Sequence, residues 1–506
     1  MLSTTFPLLE PDDQYNRELV ERVRPQLWHN PTPSGRYNLV VVGAGTAGLV
    51  SAVGAAGLGA RVAIIERHAL GGDCLNYGCV PSKALIRAAR AVADARAGAA
   101  FGVEPGQVRA DFGTAMARLR RLRADIARND SAARLSSLGI DVFFGQGRFL
   151  SSDAIEVEGQ RLTFTRAIVA TGARAAVPPI PGLAEAGFLT NETVFSLTAL
   201  PPRLVVIGAG PIGCELAQAF RRFGADVTVI GDTGRLLPRE DVDASRVVTA
   251  AFEHEGVTAL LDARVARIDR LAGSDVRTIT VEQHGRTLTI EGDAVLVATG
   301  RAPNVEGLDL DKAGIATTRS GVTVDDRLRT SNARVWAVGD IASPYKFTHA
   351  ADALARVALQ NALFFGRKKA SALVIPWATY TDPEVAHVGI SAEEAARRAD
   401  VRTLTVPLAD NDRAVLDGQS EGFARVHADA RGRVLGATIV ASHAGEMIGE
   451  MSLAMTAGVT LGTLAQTIHP YPTQSEAWKK LGDTWNRGRL TPSVRRLFGA
   501  WLRWRR

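Results

Sequence analysis

Two of the three cysteines in this 506-residue sequence, Cys74 and Cys79, lie five positions apart. Cys79 precedes Val-Pro-Ser-Lys-Ala-Leu-Ile-Arg, a helix-forming run whose proline suits the first turn of a helix. A thiolate at this position would face the positive end of the helix dipole, which lowers its pKa and makes the sulfur reactive. The pair therefore predicts a redox-active thiol centre.

Two other interpretations of this cysteine pair are a structural zinc site and two ordinary core thiols. Zinc normally takes four ligands, and no second cysteine or histidine pair at ligand spacing accompanies this one in the sequence. Glycines and a proline surround the two cysteines, which disfavours ordinary core positions. We therefore predict no bound metal ion here.

Length and composition limit the class of protein. At about 150 residues per domain the length predicts three domains, and 46% hydrophobic residues suffice for sizeable cores. A single close cysteine pair is unlike a secreted disulfide framework, so we expect a reducing, cytoplasmic setting. The sequence shows neither a signal peptide nor a membrane-spanning run. The net charge of +6 is partly concentrated in the arginine-rich residues 487–506, which argues against a nucleic-acid role.

The first glycine motif follows an apolar run at residues 38–42 and reads Gly43-x-Gly45-x-x-Gly48. A second apolar strand then ends in Glu66, 23 residues after Gly43. This is the dinucleotide-binding fingerprint, in which the glycines allow a tight turn against a pyrophosphate and the acid binds ribose hydroxyls.

A second copy follows the apolar run at residues 203–207 and reads Gly208-x-Gly210-x-x-Gly213, with a further strand at residues 226–230. Two fingerprints imply two bound nucleotides. Downstream strands end in glycine or in a carboxylate, and Asp340 is suited to a polyol such as the ribitol of a flavin. The other cofactor-binding candidates at loops and strand ends are Gly72, Thr171, Gly172, Gly300, Arg301 and Gly339.

With these motifs in this order, the chain resembles the class I pyridine nucleotide-disulfide oxidoreductases over residues 36 to about 485. The resemblance implies an α/β fold with two Rossmann-like dinucleotide-binding domains and a C-terminal α+β dimerisation domain. It implies FAD in the first fingerprint, NADH or NADPH in the second, and a homodimer. The expected divisions are residues 1–35 as an extension, 36–177 with 301–370 for FAD, 178–300 for NAD(P), 371–485 for dimerisation and 486–506 as a basic tail. Within the extension, the sequence predicts one helix over residues 12–27 and indicates no chemistry.

The resemblance also implies roles for the sulfurs. Cys79 would face the flavin as a thiolate, and Cys74 would be the outer sulfur that meets the substrate by exchange. Lys83 and Glu215 correspond to a family ion pair beside the flavin. Two separate surface charges are the alternative for that pair.

The electron acceptor is where the sequence departs from disulfide reductases of this family. Their segment is of the His-Pro-Thr…Glu type, with the histidine as acid-base group and the glutamate orienting it. Here alignment on Pro472, Thr473 and Glu476 puts Tyr471 in the base position, with His469 two residues earlier. A phenol with an ordinary pKa of about 10 is a poor proton acceptor at neutral pH.

A tyrosine at this position is a feature in which the chain resembles mercuric reductases. The chemistry is consistent with it, because a soft metal ion held by thiolates can be reduced without a proton shuttle. No cysteine follows Cys214, so we expect a mercuric-reductase-like flavoprotein that lacks the family's metal-delivery cysteines. The acceptor is then a soft metal ion or another small molecule. A dihydrolipoamide dehydrogenase or other disulfide reductase, with His469 as base, is the alternative. A third is a flavin-bound redox sensor or membrane-associated interaction partner that uses the basic tail.

Two features stay open at the level of sequence. Asp232 could bind a ribose hydroxyl of NADH, and Arg235 a 2'-phosphate of NADPH. The tail carries Val494, Leu497, Phe498, Trp501 and Leu502 at helical spacing among arginines. Such a basic amphipathic helix suits the surface of an anionic membrane, at the inner face of the cell. A helix docked on the protein's own dimer, or a frayed end, is the alternative.

Overall fold

The structure, a computed structural model, describes residues 9–104, 106–271 and 273–506. Its helices are α1 (Gln14–Val23), α2 (Thr46–Gly57), α3 (Gly72–Asn76), α4 (Cys79–Arg96), α5 (Phe112–Ile126), α6 (Ala132–Ser137), α7 (Leu183–Ala186), α8 (Pro211–Phe223), α9 (Val242–Glu255), α10 (Thr348–Leu363), α11 (Ala392–Ala396), α12 (Asp412–Leu416), α13 (Ala444–Ala457), α14 (Leu461–Gln466), α15 (Glu476–Gly488) and α16 (Pro492–Trp504).

The strands are β1 (Arg36–Val42), β2 (Val62–Glu66), β3 (Ile140–Phe144), β4 (Arg148–Ser151), β5 (Ala154–Val157), β6 (Gln160–Val169), β7 (Ala173–Ala175), β8 (Arg203–Ile207), β9 (Asp226–Ile230), β10 (Thr258–Leu260), β11 (Ala263–Arg270), β12 (Arg277–Gln283), β13 (Arg286–Gly292), β14 (Ala294–Val297), β15 (Arg301–Pro303), β16 (Thr317–Thr318), β17 (Gly321–Val322), β18 (Val335–Ala337), β19 (Trp377–Thr379), β20 (Glu384–Gly389), β21 (Arg402–Pro407), β22 (Phe423–Ala428) and β23 (Val434–Ala441).

The chain divides into two compact units. The N-terminal unit comprises residues 1–208, 216–232 and 263–373, and the structure describes all of these except 1–8, 105 and 272. The C-terminal unit comprises residues 209–215, 233–262 and 374–506.

A mainly parallel sheet forms the centre of the N-terminal unit, in the order β3-β2-β1-β6-β5-β4, with β18 also paired to β6. The apolar run of β1 is buried from Leu39 to Val42, as expected for a parallel strand covered on both faces. Helices α2 and α10 contribute to the core on the side of Leu39 and Val41. Phe143, from β3, belongs to the core on the opposite side.

The register of this sheet gathers the predicted site residues at one edge. Val42 is paired with Ile65 and with Val169, and Val169 with Ala337. Because these strands are parallel, the loops that follow them all leave from their shared carboxyl edge, where ligands of open α/β sheets bind.

A second parallel group in the same unit has the order β9-β8-β14, in which Ile207 is paired with Ile230 and with Val297. Strands β11, β12 and β13 form an antiparallel sheet nearby in the chain. The second glycine turn thus follows β8 in the same way that the first follows β1.

The C-terminal unit is built on an antiparallel sheet in the order β19-β20-β23-β22-β21. Its core is formed by apolar side chains of the sheet and of helices α13, α14 and α15, including the fully buried Trp478. The indole of Trp478 donates a hydrogen bond to the Met447 carbonyl at 3.2 Å, so its polar end is satisfied.

The N-terminal extension contains a shorter helix than the sequence predicts. A helix is expected over residues 12–27, but α1 ends at Val23. Pro25 explains this end, because the residue before a proline is disfavoured in helical conformation. Residues 1–8 of the extension lie outside the described residues.

Candidate functional site

The first glycine turn links β1 to α2 and has a geometry that only glycine allows. Gly43 has φ +99°, and a Cβ there would lie 2.4 Å from the Ala170 carbonyl oxygen. A Cβ on Gly48 would lie 1.8 Å from the Gly43 carbonyl oxygen. Helix α2 starts at Thr46, directly after Gly45, so its first backbone amides face outward from this turn as an anion-binding end.

Glu66 ends β2 beside this turn and is buried. Its carboxylate accepts hydrogen bonds from the backbone N–H groups of Ala44 and His68, each at 2.7 Å. Burial raises the pKa of Glu66, and these two backbone hydrogen bonds act in the opposite direction. Glu66 therefore holds the glycine turn in place, and its binding of a ribose stays a prediction.

Arg301 connects two of the loops at the carboxyl edge. Its guanidinium lies 3.2 Å from the Asp73 carboxylate and 3.4 Å from that of Asp340, and it donates to the Ala173 carbonyl at 2.7 Å. Desolvation raises the pKa of Asp340, and the Arg301 charge opposes that rise. Arg301 thus clamps the cysteine loop to the Asp340 turn. Its predicted role as a cofactor ligand stays a prediction.

Thr171 and Gly172 follow β6 at the same edge. The Thr171 hydroxyl donates to the Asn304 carbonyl at 2.8 Å, and the Asn304 backbone N–H donates to the Gly172 carbonyl at 3.0 Å. These two hydrogen bonds hold the loop against residue 304. Together, the groups at this edge suit FAD. The first glycine turn and the start of α2 suit its pyrophosphate, and the Asp340 carboxylate suits its polyol.

The cysteine loop packs directly on the glycine turn. The Gly71 backbone N–H donates to the Ala44 carbonyl at 2.9 Å. A Cβ on Gly72 would lie only 2.5 Å from the Gly45 Cα. Gly72 therefore permits a close approach of the cysteine loop to the nucleotide turn, which is how it serves the predicted cofactor site.

Cys74 lies in α3 and Cys79 is the first residue of α4, the position the sequence predicts. Donation by the Cys74 thiol is the main reason the pKa of Cys79 falls, to about 6. The Thr348 hydroxyl, 3.3 Å from the Cys79 sulfur, and the charge of Lys83 lower that pKa further. The pKa of Cys74 is raised by the same hydrogen bond and by burial. In the dithiol form, Cys79 is thus the thiolate at neutral pH and Cys74 the thiol.

Several partners of this loop were not predicted from the sequence. Arg123 donates to the Asn76 carbonyl, between the two cysteines, at 2.7 Å and to the Asn16 side chain of α1 at 2.6 Å. Arg24 donates to the carbonyls of Arg67 and His68 at 3.2 and 3.0 Å, just after β2. The extension, in which the sequence indicated no chemistry, therefore braces both the cysteine loop and the segment that follows β2.

The second glycine turn repeats the features of the first. Gly208 has φ +120°, and its Cβ would lie 2.4 Å from the Ala298 carbonyl oxygen. Gly300 also has positive φ, +137°. Gly210 immediately precedes α8, and Gly213 lies in its first turn. These features suit a second dinucleotide.

The coenzyme-discriminating candidates differ in their surroundings. Asp232 is exposed. Arg235 donates to the Pro238 carbonyl at 2.8 Å.

Glu215, in the C-terminal unit, is buried and accepts a hydrogen bond from the Tyr380 backbone N–H at 2.9 Å. Lys83 belongs to the N-terminal unit. The ion pair predicted for these two residues stays a prediction.

The segment before α15 separates the two acid-base candidates. The exposed Tyr471 donates its hydroxyl proton to the Asp412 carboxylate at 2.9 Å, which raises the pKa of Tyr471. His469 instead lies 3.0 Å from Glu450 through Nε2. Glu476 is the first residue of α15. The glutamate beside the histidine is therefore Glu450, which sequence analysis did not identify.

The comparisons with known proteins agree with this geometry. The family described as pyridine nucleotide-disulphide oxidoreductase matches residues 37–357, and its dimerisation domain matches residues 375–481. The chain belongs to the pyridine nucleotide-disulphide oxidoreductases.

Among its relatives, a mercuric reductase from Bacillus cereus is 34% identical over 88% of this chain and 70% of the relative. A dihydrolipoyl dehydrogenase from Bacillus subtilis is 32% identical over 87% of this chain and 96% of the relative.

Two solved structures are also similar. LpdA from Mycobacterium tuberculosis has a TM-score of 0.81 at 29% identity, and covers 88% of this chain and 99% of its own. The HOCl-induced flavoprotein disulfide reductase RclA from Escherichia coli has a TM-score of 0.78 at 30% identity, with the same coverage.

These findings confirm the predicted family and its α/β fold with a C-terminal dimerisation domain. They also confirm the cofactors, since members of the family use FAD and NAD(P)H. In this family the dimerisation domain forms homodimers. Within the described part of the chain, every helix is too short or too polar to span a bilayer.

Proposed function

We propose that this chain, as a homodimer, transfers two electrons from NAD(P)H to a Cys74–Cys79 disulfide and from the resulting dithiol to a soft metal ion or another small acceptor. The hydride of NAD(P)H reduces the S–S bond to one thiol and one thiolate and leaves NAD(P)⁺, which balances the first half-reaction. The observation that supports this function most directly is the position of Cys79 at the start of α4, with the Thr348 hydroxyl 3.3 Å from its sulfur. These surroundings and the Cys74 thiol lower the pKa of Cys79, which keeps one sulfur nucleophilic at neutral pH.

The chain's own residues prepare this chemistry. The Gly43 turn and the start of α2 would hold the pyrophosphate, Glu66 a ribose and Asp340 the ribitol. FAD, when bound, carries the electrons between the nicotinamide and the sulfurs. Cys79 is kept ionised by Cys74, Thr348 and Lys83, so the reduced pair offers one thiolate and one thiol to an acceptor.

Tyr471 supports a metal-ion acceptor over an organic disulfide. Its hydroxyl is bonded to the Asp412 carboxylate and its pKa is raised, so at neutral pH it does not accept a proton from a thiol. A soft divalent ion such as Hg(II) needs only thiolate ligands and two electrons, whereas Cu(II) takes one electron, so two Cu(II) ions reoxidise one dithiol. Mercuric reductases are among the relatives, and RclA has been solved as a Cu(II) complex.

A second candidate function is a disulfide reductase such as a dihydrolipoyl dehydrogenase. One specific contact favours it, the pair formed by His469 and Glu450 at 3.0 Å. A histidine held by a carboxylate is suited to acid-base catalysis, and a dihydrolipoyl dehydrogenase is also among the relatives.

One panel of assays separates these functions. Anaerobic NAD(P)H oxidation by the flavoprotein is followed with Hg(II), Cu(II), lipoamide and glutathione disulfide. We expect turnover with a metal ion that His469→Ala retains and Cys79→Ser abolishes. Fast lipoamide reduction that His469→Ala abolishes would instead assign the second function. Activity of Cys79→Ser equal to that of the native protein would refute both.

A further inference from the structure

Helix α16 has an apolar face that is exposed to solvent. Five of its large apolar side chains are between 52% and 76% exposed, and none of its residues, all of which the structure describes, is buried. The members of this face are Val494, Leu497, Phe498, Trp501, Leu502 and Trp504. At helical spacing they occupy one side of α16, away from Arg496 and Arg503. Arg495 borders this face, and the Arg505 guanidinium, just past the end of the helix, lies 5.8 Å from the centre of the Trp501 ring.

The neighbouring α15 shows that an amphipathic helix is normally covered in this unit. Its apolar residues Ala477, Trp478, Leu481 and Trp485 are all buried in the core of the C-terminal sheet. Helix α16 has the same kind of pattern but supplies nothing to that core. Its apolar face is therefore available to a partner outside the chain's own core.

The charge of the segment identifies the chemistry of that partner. Residues 487–506 contain seven arginines and no acidic residue. The whole chain has a net charge of +6, so the remaining 486 residues sum to −1. A cationic helix on an otherwise neutral chain is attracted to an anionic surface, whereas a second copy of the same helix would bring like charges together.

We propose that α16 docks on the surface of an anionic lipid bilayer, with its apolar face in the interface and its arginines at the headgroups. Trp501 and Trp504 lie with ring centroids 5.2 Å apart on this face, and tryptophan is enriched at membrane interfaces. Arginine can extend its guanidinium from the edge of such a helix to lipid phosphates. A nucleic acid would be held by the arginine face alone and would leave the apolar face exposed, so lipid explains both faces.

The test is co-sedimentation of the full-length flavoprotein with vesicles of phosphatidylglycerol and phosphatidylcholine, compared with phosphatidylcholine alone. We expect binding to the anionic vesicles only, reduced roughly tenfold or more when salt rises from about 0.1 to 0.5 M. Binding that is equal on both vesicles, or absent at low salt, overturns the proposal.

Matched variants separate the two faces. Leu497→Ser with Trp501→Ser removes apolar surface, and Arg495→Glu with Arg496→Glu reverses charge; each pair should lower vesicle binding at least tenfold. Leu58→Ser removes a leucine of similar exposure, 63% against 68%, outside the segment and should bind as the native protein does. Vesicle binding unchanged by the Leu497 and Trp501 pair contradicts the docking geometry.

Two further measurements decide against other partners. The melting temperature of each variant should stay the same, because α16 adds nothing to the core. Size-exclusion chromatography of a chain ending at residue 490 should show the oligomeric state of the full chain. A smaller assembly of the shortened chain would assign α16 to contacts between copies and would overturn the proposal. Tight binding of a short DNA duplex by the full chain, without vesicle binding, would assign α16 to nucleic acid and would also overturn it.

Discussion

Replacing Thr348 by valine should raise the pKa of Cys79. The two side chains have nearly the same shape, so the change removes the hydroxyl that lies 3.3 Å from the Cys79 sulfur and leaves the packing of α10 largely intact. That hydroxyl stabilises the thiolate and not the thiol. Its loss therefore favours the protonated form.

The size of the effect follows from the contact. Hydrogen bonds to charged groups contribute about 1.5–3 kcal/mol, but sulfur is a weak acceptor and Cys79 is exposed, so we take roughly 1 kcal/mol. At about 1.4 kcal/mol per pKa unit, the pKa of Cys79 should rise by roughly 0.7, from its value of about 6. The donation from Cys74, the larger cause of the low pKa, is unaffected.

The assay is the pH dependence of iodoacetamide alkylation of the reduced protein, with the alkylated sulfur identified by mass spectrometry. The alkylation midpoint assigned to Cys79 should shift upward in Thr348→Val and stay near the native value in Thr348→Ser, which keeps the hydroxyl. Cys214 is buried, and burial raises its pKa to about 12, so it does not interfere. A midpoint unchanged in the valine variant would refute the role of Thr348.

Two further predictions concern stability. Arg301→Met leaves the Asp73 and Asp340 carboxylates without their shared cation. Because both carboxylates are only partly buried, we expect the free energy of unfolding, measured in urea, to fall by roughly 1–3 kcal/mol. The control Arg174→Met removes an exposed ion pair and should lower that free energy by less than about 1 kcal/mol. Equal losses in the two variants would contradict the clamp. Folding lowers the pKa of Cys79, so the thiolate stabilises the reduced protein fully at pH values above the ordinary pKa of a thiol. This stabilisation is lost as the pH falls through about 6. The melting temperature of the reduced protein, relative to Cys79→Ser, should therefore rise between about pH 6 and pH 9; a difference that is constant with pH would argue against a thiolate at that position.

The sequence alone was sufficient for those parts of the site that depend on local geometry. The spacing of Gly43, Gly45 and Gly48 indicates a turn between a strand and a helix, and a side chain on Gly48 would collide with the Gly43 carbonyl five residues earlier. The position of Cys79 ahead of a helix-forming run likewise predicted the start of α4. Such features arise from residues within a few positions of one another, so they can be read from a linear pattern.

The partners of these residues depended on tertiary structure. Thr348 is 269 residues from Cys79, and no local pattern links a hydroxyl to a sulfur at that separation. Arg301 reaches Asp73 only because two loops leave the same edge of the sheet. His469 could have used Glu476 or another carboxylate, and the fold places Glu450 beside it. Hydrogen bonds and ion pairs act over a few ångströms in space, and only the packing of strands and helices decides which distant residues come within that range.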